Sequence, residues 1–234
     1  MKDLILAAQV GLDAAKAETL RRSSPMRKTD LRRRGLFLTG FAALAASAIP
    51  VRAAPAPIAP IQQLTDGLLH VMKAGPGISF EQRFDMLAPV IDQVFDLDAV
   101  LRTSVGSAWT SLPPDQQNML RPAFRRYTVA SYVNNFKSFN GQQFTVESQA
   151  RLVGNGEQVV RTRITSPSGD SHELDYVMRD TGSGWHVVDV LADGSISRVA
   201  VQQSDFRRLL SRGGAPALVM SLTAKSQELS DGRS

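Results

Sequence analysis

At 234 residues with 43% hydrophobic content, the chain can bury one good core with a helical subdomain attached; with no cysteine it has no disulfide, thiolate metal site or thiol nucleophile. Its formal charge of +5 does not mark a nucleic-acid binder. Residues 1–53 carry 10 Lys/Arg and 4 Asp/Glu, which leaves 17 and 18 in residues 54–234, a net of −1 with no positive field to gather phosphates.

The excess of cations belongs to a leader. Arg27, Lys28, Arg32, Arg33 and Arg34 precede an apolar run from Gly35 to Ile49, and Val51-Arg52-Ala53 supplies the residues of a cleavage site after Ala53. That run is shorter than the ~20 residues a membrane-spanning helix needs. Residues 26–53 are therefore expected to be a signal peptide, with an uncleaved N-terminal anchor as the alternative. Arg33-Arg34-Gly35-Leu36-Phe37-Leu38 resembles a twin-arginine signal, so both Sec and twin-arginine export fit. Residues 1–25 read as an extension from an upstream start codon or as a real amphipathic segment.

After a Pro/Ala linker at 54–60, the spacing of Ile61, Leu64, Leu68, Leu69 and Met72 predicts a helix ending at Gly75-Pro76-Gly77. Ser79 caps a second helix bearing Phe84, Leu87, Val90, Ile91 and Val94, which Pro89 is expected to kink or divide. Asp96 or Asp98 caps a short helix to Val105. Pro113-Pro114-Asp115 opens a long one that is expected to reach Phe139.

The period then changes from helical to alternating. Phe144–Val153, Gln158–Thr165, His172–Arg179 and Trp185–Ala192 predict four strands joined by short Gly-rich turns, an antiparallel meander. After Asp193-Gly194, Ser195 is expected to open a helix to Ser211, and another follows from Ala215 to Leu229. Residues 230–234 read as a disordered tail. The layout is α+β: N-terminal helices, a four- to five-stranded, mostly antiparallel curved sheet, and C-terminal helices packing on it. Residues 61–229 are taken as one domain, helical over 61–139 and sheet plus closing helices over 142–229.

One face of the strands is apolar: Val146-Ser148-Ala150-Leu152, Val160-Thr162-Ile164, Leu174-Tyr176-Met178 and Val188-Val190. Phe84, Leu87, Tyr127, Val129 and Tyr132 can cover that face from the helices. Periodicity alone describes an ordinary filled core as well as a cavity. His172, His186, Asp189, Asp175 and Tyr176 on neighbouring strands leave open an acid–base enzyme, which requires the two histidines to converge on one pocket. No nucleophile elbow, HExxH, P-loop or dinucleotide glycine pattern is present, so no catalytic residue, metal or cofactor is assigned. A non-catalytic scaffold with a filled core is the third reading.

Phe95-Asp96-Leu97, Leu101-Arg102, Gly106, Trp109 and Pro114-Asp115-Gln116-Gln117 resemble, in order and spacing, the MlaC family, also called the toluene-tolerance or ABC-transporter auxiliary family. So do Phe124, Tyr127, Tyr132, Phe139-Asn140-Gly141-Gln142, then Trp185, Val188, Asp189, Gly194, Ser195 and the Phe206 to Leu210 segment. The resemblance spans roughly 60–228 and is nearest to the hopanoid-associated HpnM branch. The chain departs from the family pattern at Gln202-Gln203-Ser204-Asp205.

The resemblance implies a periplasmic, monomeric carrier of phospholipid or hopanoid. It would shuttle between an outer-membrane lipid-transport complex and an inner-membrane ABC transporter with its substrate-binding subunit. It also converts the apolar face into a cavity wall. The expected lining is Phe84, Leu87, Tyr127, Tyr132, Val146, Ala150, Val160, Ile164, Leu174, Tyr176, Met178, Val188 and Val190.

Overall fold

In a computed structural model of the chain, residues 56–75 and 77–232 are described; the extension, the leader, its cleavage point at Ala53 and the start of the linker lie outside the described residues. Helix α1, Ile58–Ala74, begins three residues before the predicted Ile61. Pro57 and Pro60 fall in its cap and first turn, where a missing N–H costs nothing. Its buried stripe is Ile61, Leu64, Leu68, Val71 and Met72.

Helix α2, Phe80–Val94, opens on a reciprocal cap: Ser79 Oγ accepts from Gln82 N at 3.2 Å and Gln82 Oε1 accepts from Ser79 N at 2.8 Å. Pro89 does not divide it. That proline lies on the exposed side, where water can satisfy the carbonyl left without an N–H. Asp96 caps α3, Leu97–Val105, through Ala99 N at 2.9 Å. A tight 3-10 turn over Gly106–Ser111 then leads into α4, Pro114–Asn135, which ends near Phe136 rather than Phe139.

The sheet contains β1 Gln143–Val146, β2 Arg151–Leu152, β3 Gln158–Thr165, β4 Ser171–Asp180, β5 Trp185–Ala192 and β6 Ile196–Ser197. All pairings among these strands are antiparallel, in the order β1-β3-β4-β5-β6 with β2 also against β3. The predicted first strand is thus two short pieces. Between them the alternation fails: Ser148 is exposed and Leu152 is 72% exposed, so neither lies on the core face.

β5 carries the second correction. Leu174 faces Ala192 and Tyr176 faces Val190, but Met178 faces Val187, so Val188 is the extra residue of a bulge. The core side of β5 is therefore Val187, Val190 and Ala192. Val188 is buried but belongs to neither core cluster, which removes it from the expected cavity wall.

The third correction is at the last helix. Ile196–Ser197 pairs with β5 as β6, so Ser197, not Ser195, opens α5, Arg198–Ser230. Its hydroxyl accepts from Ala200 N at 3.0 Å. Gly213 and Gly214 interrupt α5, and its second segment reaches Ser230, which the sequence assigns to a disordered tail.

Two apolar clusters result. One joins α1, α2 and the C-terminal half of α4 to the sheet. The other joins α3, Trp109, the N-terminal half of α4 and both segments of α5. On the opposite face of the sheet, cross-strand ion pairs replace apolar contacts: Arg161 bonds Asp175 through two nitrogens at 3.0 and 3.2 Å, and Arg163 binds Glu173.

Candidate ligand-binding cavity

Tyr127, Tyr132, Leu174, Val190, Ala192 and Ile196 line a partly open cavity of about 90 Å³ together with Arg198, Val201, Gln202, Asp205 and Lys225. A smaller space of about 30 Å³ adjoins it, reaching Phe95, Val100, Phe124, Thr128 and Asp189. Both spaces touch Tyr132, Val190, Arg198 and Gln202. The pair lies on the seam where the two apolar clusters meet, because its walls come from β4, β5 and the end of α4 on one side and from α3, Phe124 and α5 on the other.

Local sequence explains each wall. Leu174, Val190 and Ala192 point to the helices because β4 and β5 are in register there, before the bulge. Arg198, Val201, Gln202 and Asp205 stand at i, i+3, i+4 and i+7, which aligns them on one face of α5. Lys225 comes from the second segment of α5, turned back by the glycines. Asp189 fixes the start of the helix: its carboxylate accepts from Val199 N at 3.1 Å, from Val190 N at 2.7 Å and from Ser197 Oγ at 2.5 Å.

Of the expected lining residues, Tyr127, Tyr132, Leu174 and Val190 meet at the cavity. Phe84, Leu87, Val160, Ile164, Tyr176 and Met178 lie instead in the filled sheet-side cluster, and Val146 and Ala150 pack half-buried at its margin. The alternation places these residues on the right face, but neighbours from α1 and α2 already occupy the space above them. The sequence reading missed Ala192, Ile196, Arg198, Val201, Gln202, Asp205 and Lys225. The helical spacing of the four α5 residues was the available signal.

The electrostatics divide the cavity. Tyr132, on the cavity wall, shares a hydrogen bond with Tyr176 in the filled cluster; burial pushes the Tyr132 hydroxyl up to about 12, only partly offset by the charge of Arg198 and by that bond. Burial likewise holds Tyr176 well above the ordinary phenol range, with Tyr132 adding to the effect. Both are neutral phenols at physiological pH. The mouth is charged: Arg198 and Lys225 have no ion-pair partner among the described residues, while Asp205 is paired with Arg208. Gln202 is anchored by Ser104, whose hydroxyl donates to its amide oxygen at 3.0 Å.

A larger depression of about 470 Å³, bounded by Asp92, Asp98, Arg121, Arg125 and His186, is open surface. Its guanidiniums are already paired, Arg125 with Asp92 at 2.6 Å and Arg121 with Asp98 at 2.8 Å. The histidines do not converge. His172 faces Ile164 near one end of β4, while His186 faces Arg179 near the other, a separation of roughly 23 Å at strand rise. His186 Nδ1 bonds the turn at Thr181 Oγ1, 3.1 Å, and Gly184 O, 3.0 Å, and Asp189 is spent on the helix cap. Asp175 is fully buried under Arg161. The acid–base constellation is therefore not assembled.

No helix among the described residues is long and apolar enough to cross a membrane. No group of three or more His, Asp or Glu among them could hold a metal ion.

The fold is α+β, with an open antiparallel sheet covered on one face by helices and a cavity at the seam of the two apolar clusters. The family model described as MlaC protein matches residues 62–224, and the chain belongs to the MlaC family. It is 25% identical over 167 residues to the toluene tolerance protein ttg2D of Pseudomonas putida, covering 69% of this chain and 75% of that protein. The fold is similar, at TM-score 0.65 and 22% identity, to the phospholipid-binding protein of Ralstonia solanacearum solved in complex with a phospholipid, over 75% of this chain and 99% of that one.

Proposed function

We propose that this chain is a periplasmic lipid-transfer protein that carries a phospholipid with its acyl tails between the sheet and the helices. Cleavage after Ala53 would release the carrier from its export leader. The observation that carries the reading is the partly open cavity at the seam of the two apolar clusters, lined by apolar strand residues and by Arg198, Asp205 and Lys225 from the last helix. Membership of the family and the phospholipid held by the Ralstonia solanacearum protein support it.

Energetics favour a carrier of this build. Each buried CH₂ contributes about 0.8 kcal/mol, so acyl tails are held without a matching set of polar contacts. The passage of about 90 Å³ is much smaller than the 300–1,000 Å³ of an ordinary small-molecule pocket, so loading must part the two clusters along their seam. An outer-membrane lipid complex and an inner-membrane ABC transporter with its substrate-binding subunit are the exchange partners of this reading. The chain would meet them as a monomer. A hopanoid cargo is the alternative within it.

Transfer of a fluorescent phospholipid from donor to acceptor vesicles tests the function. The purified protein should raise the transfer rate in proportion to its concentration. A rate equal to that of vesicles alone, with protein shown to be folded, rejects the carrier.

A further inference from the structure

We infer that the exposed arginine stripe on the first segment of α5 is a membrane-docking surface, which seats the carrier on an anionic lipid bilayer. The inference rests on the carrier reading above and says where the protein stands while its cargo changes hands.

Charge placement is the first observation. Helix α5, Arg198–Ser230, holds five Lys/Arg and two Asp/Glu, a net of +3. The rest of residues 54–234 holds 12 and 16, a net of −4. Positive charge is thus concentrated on one helix of an otherwise acidic chain, and an anionic surface attracts that helix while repelling the remainder.

The second observation is the arrangement. Ser204, Arg207, Arg208, Ser211 and Arg212 follow at i, i+3, i+4, i+7 and i+8, and all are exposed. The buried residues of the same segment, Val199, Gln202 and Phe206, lie on the opposite face. Arg208 is paired with Asp205, whereas Arg207 and Arg212 make no ion pair with a carboxylate among the described residues. Arg208 and Arg212, four apart, repel each other, an arrangement that helix stability does not call for. The stripe extends about 12 Å at 1.5 Å per residue, which fits the diffuse charge of a bilayer rather than the separate carboxylates of an acidic protein.

The surroundings agree with a lipid surface. Arg207, Leu210 and Ser211 border a groove of about 340 Å³ against residues 105–108. A lipid head group fits beside the guanidinium there, which binds phosphate through two parallel N–H donors. Past the Gly213-Gly214 break, Met220 is 72% exposed on the face of the second segment opposite Leu218 and Leu222. Cations and an exposed apolar side chain on one helix are what an interfacial element presents to a membrane. The same helix lines the cavity, so docking through α5 brings the cavity to the lipid.

Vesicle sedimentation tests the surface. Wild-type protein, the double variant Arg207→Gln/Arg212→Gln and a control of equal charge, Lys73→Gln/Lys137→Gln, are mixed with two kinds of vesicle. One is phosphatidylcholine alone and the other is equal parts phosphatidylcholine and phosphatidylglycerol. Binding is measured in low and high salt, and urea midpoints confirm that the variants are folded.

Wild type should bind the anionic vesicles more tightly than the neutral ones, and salt should weaken that binding. Loss of the two arginines should weaken it about thirtyfold, at about fivefold per cation, while the control stays within about twofold of wild type. Equal binding of wild type to both vesicles overturns the docking surface, as does unchanged binding by the arginine variant. An equal loss in the control, which makes net charge alone responsible, overturns it too. Phospholipid transfer between neutral vesicles, followed in parallel, reports the carrier reading by itself. Transfer without anionic preference keeps the carrier and rejects the dock; no transfer from either kind of vesicle rejects the carrier.

Discussion

Tyr132 and Tyr176 hydrogen-bond to each other in the core. Removing one oxygen takes that partner from the other, so Tyr132→Phe and Tyr176→Phe should each cost about 1–3 kcal/mol by urea denaturation. The double variant should cost less than the sum of the two, and the cycle measures their coupling. The pair also sets an alkaline limit. The Tyr132 hydroxyl is raised from the ordinary 10.0 to about 12, so its stabilisation is fully present below pH 10 and is lost as pH climbs through about 12. Absorbance of phenolate and the urea midpoint, followed together from pH 9 to pH 12.5, should show late ionisation accompanied by unfolding. Val190 stands on both parts of the passage, so Val190→Phe should block lipid loading while costing about 1–3 kcal/mol of stability through overpacking. Loading equal to wild type in the folded variant would remove the passage from the account.

At the scale of elements, α5 is decisive because it supplies one wall of the passage and both cations. Its break is built from Gly213 and Gly214. Gly214 sits at φ 64 and ψ −160, a region that side chains rarely adopt, so Gly214→Ala should cost about 1–3 kcal/mol. Because the second segment carries Lys225, the same variant should also weaken lipid retention, read by vesicle uptake.

Much of this scale was legible in the sequence. Ser79 announced a capped helix, and β3 and β5 were predicted with their observed ends. What failed has physical causes. A bulge adds one residue, and in a structure of period two one residue exchanges the faces, so Val188 gave way to Val187. Ser195 and Ser197 are equally good caps by chemistry; the pairing of Ile196 with Ala192 decided between them. Pro89 was tolerated because exposure is a tertiary property that the helix pattern does not contain. The site was harder still. A cavity and a filled core use the same apolar residues, and only packing from α1 and α2 distinguished Tyr176, in the filled part, from Tyr132, at the passage.

For the whole molecule, the two apolar clusters matter more than any single contact. They share α4 but otherwise rest on different helices, and the seam between them is the line along which a carrier would admit tails without unfolding either core. Bound lipid that contacts both clusters adds stability by mass action. At a lipid concentration about 100 times the dissociation constant the gain is about 2.7 kcal/mol, which a thermal melt with and without lipid should register as a rise in Tm. Native mass spectrometry tests the central claim most directly. Protein exported to a bacterial periplasm and purified without detergent should have the mass of the mature chain plus one lipid, and dissociation should release a glycerophospholipid. A folded chain that carries no lipid, and gains none after exposure to bacterial lipid vesicles, would contradict the account.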